Sequence, residues 1–369
     1  MDFRGRVFLA PLTKGGNLPF RRLCLAHGCD VTMGEMAYSY QVVKRSKSEL
    51  ALLRKHPEET CFGAQIAASR PADGIAAGLA AVERGASFVD LNCGCPIHDV
   101  VKRGMGATLL QRPAQLGKLV AELVKGIPAP VSVKIRLGWT DSDRNASEVA
   151  KVVEEAGAAA LTVHGRTREQ RYSRAADWEA IAQIAAERSI PVIGNGDILT
   201  WYEAHERWQK SGVASIMVGR GALIKPWLFR EIATRQAFEP SASERLAIYH
   251  DFAQRLKTHF RDDEKGKERA MRFLPWHFEF FCRYRPLSAP QWVAAASQHP
   301  LIQTRMPEED GLSVLERLLR DPRPELHQEL AGLLWSAPDA PAAEVAALAL
   351  AERMPPVVGE VGEVAVGHG

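Results

Sequence analysis

Asp90-Leu91-Asn92-Cys93-Gly94-Cys95-Pro96 closes an apolar run with two thiols, one of them held between a glycine and a proline. A cysteine thiol, with an ordinary pKa of about 8.5, keeps its proton at neutral pH and can give it to a developing carbanion. Other apolar runs also finish on polar groups. Residues 131–135 carry Lys134, residues 161–163 lead into His164, residues 191–194 into Asn195, and residues 215–218 into Gly219 and Arg220. A lysine in an apolar run is costly to bury unpaired, so Lys134 needs an anion, either a ligand or a structural partner. His164-Gly165-Arg166 adds a second candidate anion contact, with a structural histidine as the alternative. In Gly194-Asn195-Gly196-Asp197 and Gly219-Arg220-Gly221 the small residues let backbone N–H groups approach phosphate oxygens, although glycines at such places also serve as ordinary turn residues. Pro11 either lies against one face of a flat ring or simply closes its strand. Gln65 offers an amide donor and acceptor to the edge of a pyrimidine or to a neighbour at the rim.

The two cysteines admit few roles. No second cysteine pair or close histidine cluster completes a tetrahedral set around them, so no metal site is expected. A disulfide between them would be strained and out of place in a reducing compartment. That leaves a buried structural thiol or an acid, and the lysine, histidine and glycine-rich features at neighbouring strand ends favour the acid.

Such residues act together only if a scaffold gathers the strand ends. Branched apolar runs at 7–10, 31–33, 61–66, 88–91, 131–135, 160–163, 191–194 and 215–218 alternate with alanine-rich helical spacing at 71–84, 115–125, 147–155 and 178–187. Continuous apolar strands are those covered on both faces, as in a parallel sheet with crossover helices. Eight such units over roughly 230 residues, close to the size typical of the class, predict an α/β fold of the TIM (β/α)8 barrel type rather than an open sheet. Function in that architecture sits at the C-terminal strand ends, where the polar groups fall.

The pattern changes after about residue 231. Leu246, Tyr249, Phe252, Ala253, Leu256 and Phe260 recur at helical spacing within 243–261, and an aromatic-rich helical run covers 269–284. Further helices are predicted at 312–319 and 325–335. The expected organisation is a barrel over 1–236, a smaller all-helical domain over 237–337, and a disordered tail over 338–369, where Pro, Ala, Val, Glu and Gly dominate.

The composition, 369 residues with 46% hydrophobic and 25% charged, is that of a soluble globular chain. No apolar run approaches the ~18 residues of a membrane span, and the segment after Arg6 is too short for a signal-peptide core. A cytoplasmic location without a membrane partner is therefore expected. The six cysteines, at 24, 29, 61, 93, 95 and 282, lack the dense spacing of a disulfide scaffold and read as reduced thiols. A net charge of +3 does not by itself mark a nucleic-acid binder.

Taken in order, the motifs resemble one family. They are Ala10-Pro11-Leu12-Thr13 with Gly16-Asn17-Leu18-Pro19-Phe20-Arg21-Arg22, Gly34-Glu35-Met36-Ala37, Asn92-Cys93-Gly94-Cys95-Pro96, Val133-Lys134-Ile135-Arg136, Val163-His164-Gly165-Arg166-Thr167, Gly194-Asn195-Gly196-Asp197-Ile198 and Gly219-Arg220-Gly221-Ala222. Together they resemble the tRNA-dihydrouridine synthases. Arg272-Phe273-Leu274-Pro275-Trp276 and Phe281-Cys282-Arg283-Tyr284 are similar to the subgroup related to the eukaryotic synthase acting on the tRNA variable-loop region.

The resemblance implies an FMN-dependent reduction of the 5,6 double bond of uridine in tRNA, with NADPH as the electron source. It assigns Pro11, Gln65, Lys134, His164, Asn195, Asp197, Gly219 and Arg220 to FMN, and Cys95 to the acid that protonates C5 after hydride reaches C6. Asn92 would orient the substrate base, and Lys134 near the flavin pyrimidine would stabilise the anionic reduced ring. A base inside folded RNA must be extruded at a cost of a few kcal/mol, so the protein has to grip the flanking RNA. The implied grip is the segment 265–285, where Lys265, Lys267, Arg269, Arg272, Arg283 and Arg285 face only Glu268 and Glu279. Arg283 and Arg285 are its candidate RNA contacts, and a solvated helix face is the alternative. Lys44, Arg45, Lys47, Arg54 and Lys55 form a second basic cluster, and Lys102 with Arg103 follows the cysteine loop. The protein is expected to act as a monomer. The eukaryotic members carry zinc-finger and extension segments, whereas this chain opens almost at its first strand, which leaves the modified position open and keeps ribosomal RNA as an alternative substrate. Two rivals stand beside this reading: a small-molecule flavin oxidoreductase like the dihydroorotate dehydrogenases, and an RNA-binding protein whose barrel has lost catalysis.

Overall fold

The computed structural model describes residues 1–307 and 309–356. Among them nine strands form one parallel sheet: β1 (Val7–Leu9), β2 (Thr32–Met33), β3 (Ala37–Tyr38), β4 (Phe62–Ala67), β5 (Phe88–Cys93), β6 (Val131–Arg136), β7 (Ala160–His164), β8 (Val192–Asn195) and β9 (Ser215–Val218). Their order is β1-β9-β8-β7-β6-β5-β4-β2, and Phe8 bridges Val31 to bring the two ends together. The result is the expected TIM-type barrel. One strand is additional: β3 pairs with β4 just beyond β2, after a break at Gly34, where a Cβ would press on the Leu52 carbonyl and the Phe62 ring.

Strand alternation divides the barrel into two cores. Outward-facing Leu91, Val133, Ile135, Leu161, Val163 and Ile216 pack against the surrounding helices. Inside, Phe3, Phe8, Phe88, Met33 and Ile193 close the N-terminal end, with the Phe3 and Phe88 rings edge-on at 5.1 Å. Gly63 makes room for the Phe88 ring, which any Cβ at that position would strike. Above this plug the interior turns polar. Gln65 is in register with Asp90, Asp90 with Ser132, Asn92 with Lys134, and Arg136 with His164, which in turn faces Asn195. The apolar half closes the barrel at one end; the polar half, itself buried, lies beneath and around the mouth.

Helices follow the barrel, as the sequence predicts. Ala242–Phe260 opens with a capping box between Ser241 and Glu244 and stacks Tyr249 on Phe281 at 4.2 Å. The predicted helical run at 269–284 is broken in two, Glu264–Ala270 and Leu274–Phe281, because Pro275 sits in the first turn of the second helix and cannot continue the first. Phe20 of the barrel meets Phe252 at 5.6 Å and His277 at 4.8 Å, which seats the helical region against the barrel. Tyr202 Oη donates to the Leu287 carbonyl at 2.8 Å, and Glu203 Oε1 accepts the Leu301 N–H at 3.0 Å.

The predicted disordered tail requires correction over part of its length. Ala340–Arg353 is a helix, capped by the Asp339 side chain on the Ala342 N–H, with Ala343, Ala347, Leu350 and Ala351 buried against the other helices. Small alanines at helical spacing form a close-packing face that a composition dominated by Pro and Ala conceals. Residues 357–369, the rest of that segment, lie outside the described residues. No helix among those described is long and apolar enough to cross a membrane.

Candidate active site at the barrel mouth

A cleft of about 1170 Å³, counted out to its open mouth, lies over the C-terminal strand ends. Pro11, Gln65, Asn92, Cys95, Lys134, His164, Asn195, Asp197, Gly219 and Arg220 all line it. Residues scattered over 210 positions of sequence thus share one space because each stands at a strand end or on the loop after it. Arg283 and Arg285 do not line the cleft.

The floor is a connected polar layer. Lys134 Nζ donates to Asn195 Oδ1 at 3.1 Å, and Asn195 Nδ2 donates to the Met217 carbonyl at 2.9 Å. Burial, reinforced by the neighbouring Arg136, brings the Lys134 ammonium down to about 8, while Asp90 opposes the shift. Gln65 Nε2 donates to Asp90 Oδ2 and its Oε1 accepts from Asn92 Nδ2, both at 2.8 Å. Each of these amides therefore has only part of its bonding capacity left for a ligand.

Asn92 Oδ1 accepts the Gly94 and Cys95 N–H groups at 3.1 and 2.8 Å, and Arg136 Nε donates to the Gly94 carbonyl at 2.8 Å. The Cys95 loop is consequently held from below and from the side. Burial pushes the Cys95 thiol up, against smaller opposing effects from Ile97, Arg136 and Lys134, so it keeps its proton at neutral pH. Cys93, one position out of phase, points into the layer between strands and helices, fully buried. Two residues further on, Cys95 has the same parity as Cys93 but lies past the end of β5, so the turn at Gly94, held by Asn92 and Arg136, and not the pleat, brings it to the cleft.

On the opposite side stands a cluster of arginines. Arg166 Nη2 lies 2.7 and 2.6 Å from the two oxygens of Asp197, Arg220 Nη2 donates to Asp197 Oδ1 at 3.1 Å, and the Ala176 N–H takes Oδ2 at 2.7 Å. Asp197 itself holds a left-handed backbone, φ 49°, a strain that functional loops often carry. Its oxygens are taken up in fixing arginines, so it shapes the site indirectly. The Tyr172 ring lies 4.0 Å from the Arg220 guanidinium. Burial, then the charges of Arg136, Lys134, Arg166 and Arg220, hold His164 well below the usual imidazole range, so its ring is neutral. Four cations, Lys134, Arg136, Arg166 and Arg220, face the cleft lining, and Asp197 is the acid among its lining residues. The imbalance suits a bound anion.

Several lining residues, Arg136 and Trp276 among them, were given no role from sequence. Arg136 shares a face with Ser132 and Lys134, and period-two alternation extended by one residue past the predicted strand end would have found it. Tyr172 carries no local signal. Trp276, Phe280 and Ile302 reach the cleft from the helical region, and Gln303 Nε2 donates to the carbonyls of Tyr172 and Arg174 at 3.2 and 2.9 Å. The helical region therefore completes one wall of the site. Of the basic residues, Arg283 lies over the Phe280 ring at 5.2 Å, near the mouth, whereas Arg285 Nη1 turns inward to the carbonyls of Cys282 and Tyr284. At the rim beside Cys95, the Tyr40 ring lies 4.8 Å from Arg103 and 6.0 Å from Lys44.

A family model described as dihydrouridine synthase matches residues 8–291. The tRNA-dihydrouridine(47) synthase of Coprinopsis cinerea, whose name specifies NAD(P)(+), is 39% identical over 337 residues, 87% of this chain and 49% of its own length. The corresponding synthase-like protein of Homo sapiens is 41% identical over 290 residues, 78% of this chain and 44% of its own. The chain spans about half the length of the curated relatives it matches. A 6-hydroxypseudooxynicotine amine oxidase from Pseudomonas geniculata superposes with a TM-score of 0.51 at 12% identity, over 68% of this chain and 50% of that one, a likeness of fold. With the matched model running from the first barrel strand into the helical region, the chain belongs to the dihydrouridine synthase family.

Proposed function

We propose that this chain reduces the 5,6 double bond of uridine in tRNA to dihydrouridine, with FMN in the cleft and NADPH as the source of electrons. The observation that carries the reading is one cleft in which a protonated thiol, Cys95, and a buried ammonium, Lys134, stand beside an arginine cluster with excess positive charge. FMN fits this donor set. Arg166, Arg220, His164 and the backbone at Gly196 and Gly219 suit its phosphate, while Lys134, Gln65 and Asn195 suit the polar edge of its ring, with Pro11 on the lining beside them. When bound and reduced, the flavin supplies the hydride for C6 of uracil. Cys95 holds the proton for C5, and the Asn92 and Arg136 contacts keep that thiol in place. Lys134 stabilises negative charge on the ring edge, and Tyr172, Trp276 and Phe280 wall the cleft against water. The barrel, 1–236, would carry the chemistry and the helices from 237 onward the RNA grip. A monomer acting in the cytoplasm completes the reading, and the relatives' names make tRNA position 47 the first to test.

The Lys134 shift gives the site a pH signature. Because its value near 8 lies below the ordinary 10.5, the buried ammonium weighs against folding of the flavin-free protein at pH 7, and that cost lifts as pH rises from about 8 to 10.5. Ligand affinity runs the other way. FMN binding, followed by flavin fluorescence, is expected to weaken as pH passes 8, with a smaller dependence in Lys134→Met; a pH-independent affinity would remove Lys134 from the ring's surroundings.

The two helical-region arginines are expected to part company. Arg283→Glu should weaken tRNA binding in a salt-dependent way and lower the melting temperature less than Arg285→Glu, since its half-buried guanidinium lies over the Phe280 ring and bonds no backbone carbonyl among the described residues. Arg285→Glu should chiefly lower stability, because its guanidinium satisfies backbone carbonyls. Filter binding and thermal melting on the two variants decide it, and a stable Arg285→Glu protein with lost tRNA affinity would reverse the assignment.

The function itself is tested by mapping dihydrouridine, position by position, in RNA from cells with and without the gene. Loss of one tRNA signal is the expected result. Loss from ribosomal RNA would keep the chemistry and change the substrate, and no loss anywhere would favour a small-molecule substrate.

A further inference from the structure

We propose that Asp90 is a positioning residue for the proton donor, the fixed end of a one-way hydrogen-bond chain that runs through Gln65 and Asn92 to the Cys95 loop. The proposal rests on the reading of Cys95 as the acid. Asp90 lies on the inner face of β5, 1% exposed, below the cleft. Its Oδ1 accepts from Ser132 Oγ at 2.6 Å and its Oδ2 from Gln65 Nε2 at 2.8 Å. An ionised carboxylate can only accept, whereas an amide can present either end. Asp90 therefore obliges Gln65 to turn its NH2 group downward, which leaves Gln65 Oε1 facing Asn92. Asn92 must answer with its own NH2 group, and its carbonyl oxygen is thereby directed upward, to the N–H groups of Gly94 and Cys95.

The far end makes the same demand. Two backbone N–H groups on the Cys95 loop require an acceptor below them, so a reversed chain would set donors against donors at the top and oxygens against oxygens at the bottom. Direction is thus specified twice, by a buried acid and by the loop that bears the thiol. The strand register supplies the spacing, since Gln65 pairs with Asp90 across β4 and β5, and Asn92 follows two residues along the same face. Burial leaves the Asp90 carboxyl raised above the ordinary carboxylate range, against smaller opposing effects of the bonds from Gln65 and Ser132 and the charge of Lys134. The acid that lines the cleft, Asp197, is occupied by Arg166 and Arg220 and cannot take this part.

A charge-conserving exchange tests direction separately from mere packing. In N92D, a carboxylate faces the Gln65 carbonyl oxygen, and Gln65 cannot turn round because Asp90 also needs its NH2 group. In D90N/N92D the whole chain can reverse: the new amide at position 90 donates to Gln65, Gln65 donates to the new carboxylate at position 92, and that carboxylate still accepts from the Cys95 loop. D90N alone keeps the original direction, with its carbonyl toward Gln65 and its NH2 toward the Ser132 hydroxyl.

The readout is the rate at which iodoacetamide alkylates Cys95, resolved by peptide mass spectrometry on flavin-free and flavin-loaded protein, together with the melting temperature. N92D is expected to speed alkylation by about tenfold or more, the scale of one broken buried hydrogen-bond link, with D90N/N92D and D90N within about threefold of the parent. An N92D chain that fails to fold while the exchange folds is the same rescue in stronger form. An exchange as impaired as N92D, or an N92D protein with unchanged Cys95 reactivity, would overturn the proposal. So would D90N matching N92D, since charge rather than direction would then matter. Because none of these readouts requires RNA, a failed substrate assignment shows itself elsewhere, in the dihydrouridine map, and leaves this result standing.

Discussion

Cys95→Ala is expected to lower uridine reduction by about 10²- to 10⁴-fold, the usual contribution of a positioned acid, while flavin binding stays close to that of the parent. The thiol lines the cleft, and its elevated pKa keeps a proton available at neutral pH. None of the side-chain hydrogen bonds in the arginine cluster or the Lys134–Asn195 pair involves Cys95, so the flavin spectrum and affinity should not follow the loss of turnover. Cys93→Ala is the matched control. It removes a fully buried sulfur from the layer behind the strand and should cost a modest amount of stability with little change in rate. Single-turnover reduction of an unmodified tRNA transcript by flavin-loaded protein separates the two. Near-normal turnover by Cys95→Ala would end the acid assignment, and loss of flavin in that variant would recast the residue as part of the cofactor seat.

Asp197→Ala should be strongly damaging to stability. Asp197 is fully buried, Arg166 is 1% exposed at the side chain and Arg220 14%, and removing their shared carboxylate leaves two guanidinium groups crowded among Lys134, Arg136 and His164. Breaking a buried pair in this way costs about 3–5 kcal/mol, against about 0–1 kcal/mol for an exposed pair such as Arg272–Glu268. Urea denaturation of the two variants, Asp197→Ala and Glu268→Ala, measures the contrast. The site's excess of positive charge adds a second expectation: inorganic phosphate should stabilise Asp197→Ala more than the parent, because the anion takes over part of the missing role. A loss below about 1 kcal/mol would mean that water already solvates these arginines, contrary to their burial.

What sequence could show depended on how far apart the interacting residues lie. The strands Phe88–Cys93 and Val131–Arg136 were legible over 88–91 and 131–135 from their branched apolar residues between helical segments, and Lys134 stood out as a charge among them. The helix at Ala340–Arg353 was not, since alanine contributes small, close contacts that acquire meaning only against a partner helix. Likewise nothing around residue 303 announces that Gln303 will hold the Tyr172 loop, a bond between residues 131 positions apart.

By itself the sequence determined the parallel barrel, the polar character of its strand ends and the family-wide motifs, because these follow from local periodicity and from residue types standing where apolar ones should be. Only the tertiary structure decided that Cys93 packs behind its strand, that Asp197 serves arginines, that Arg285 turns inward, and that Asp90 lies at the foot of the Cys95 loop. Those outcomes depend on strand register and on side-chain direction, and a hydrogen bond forms only where chain closure brings donor and acceptor within about 3 Å.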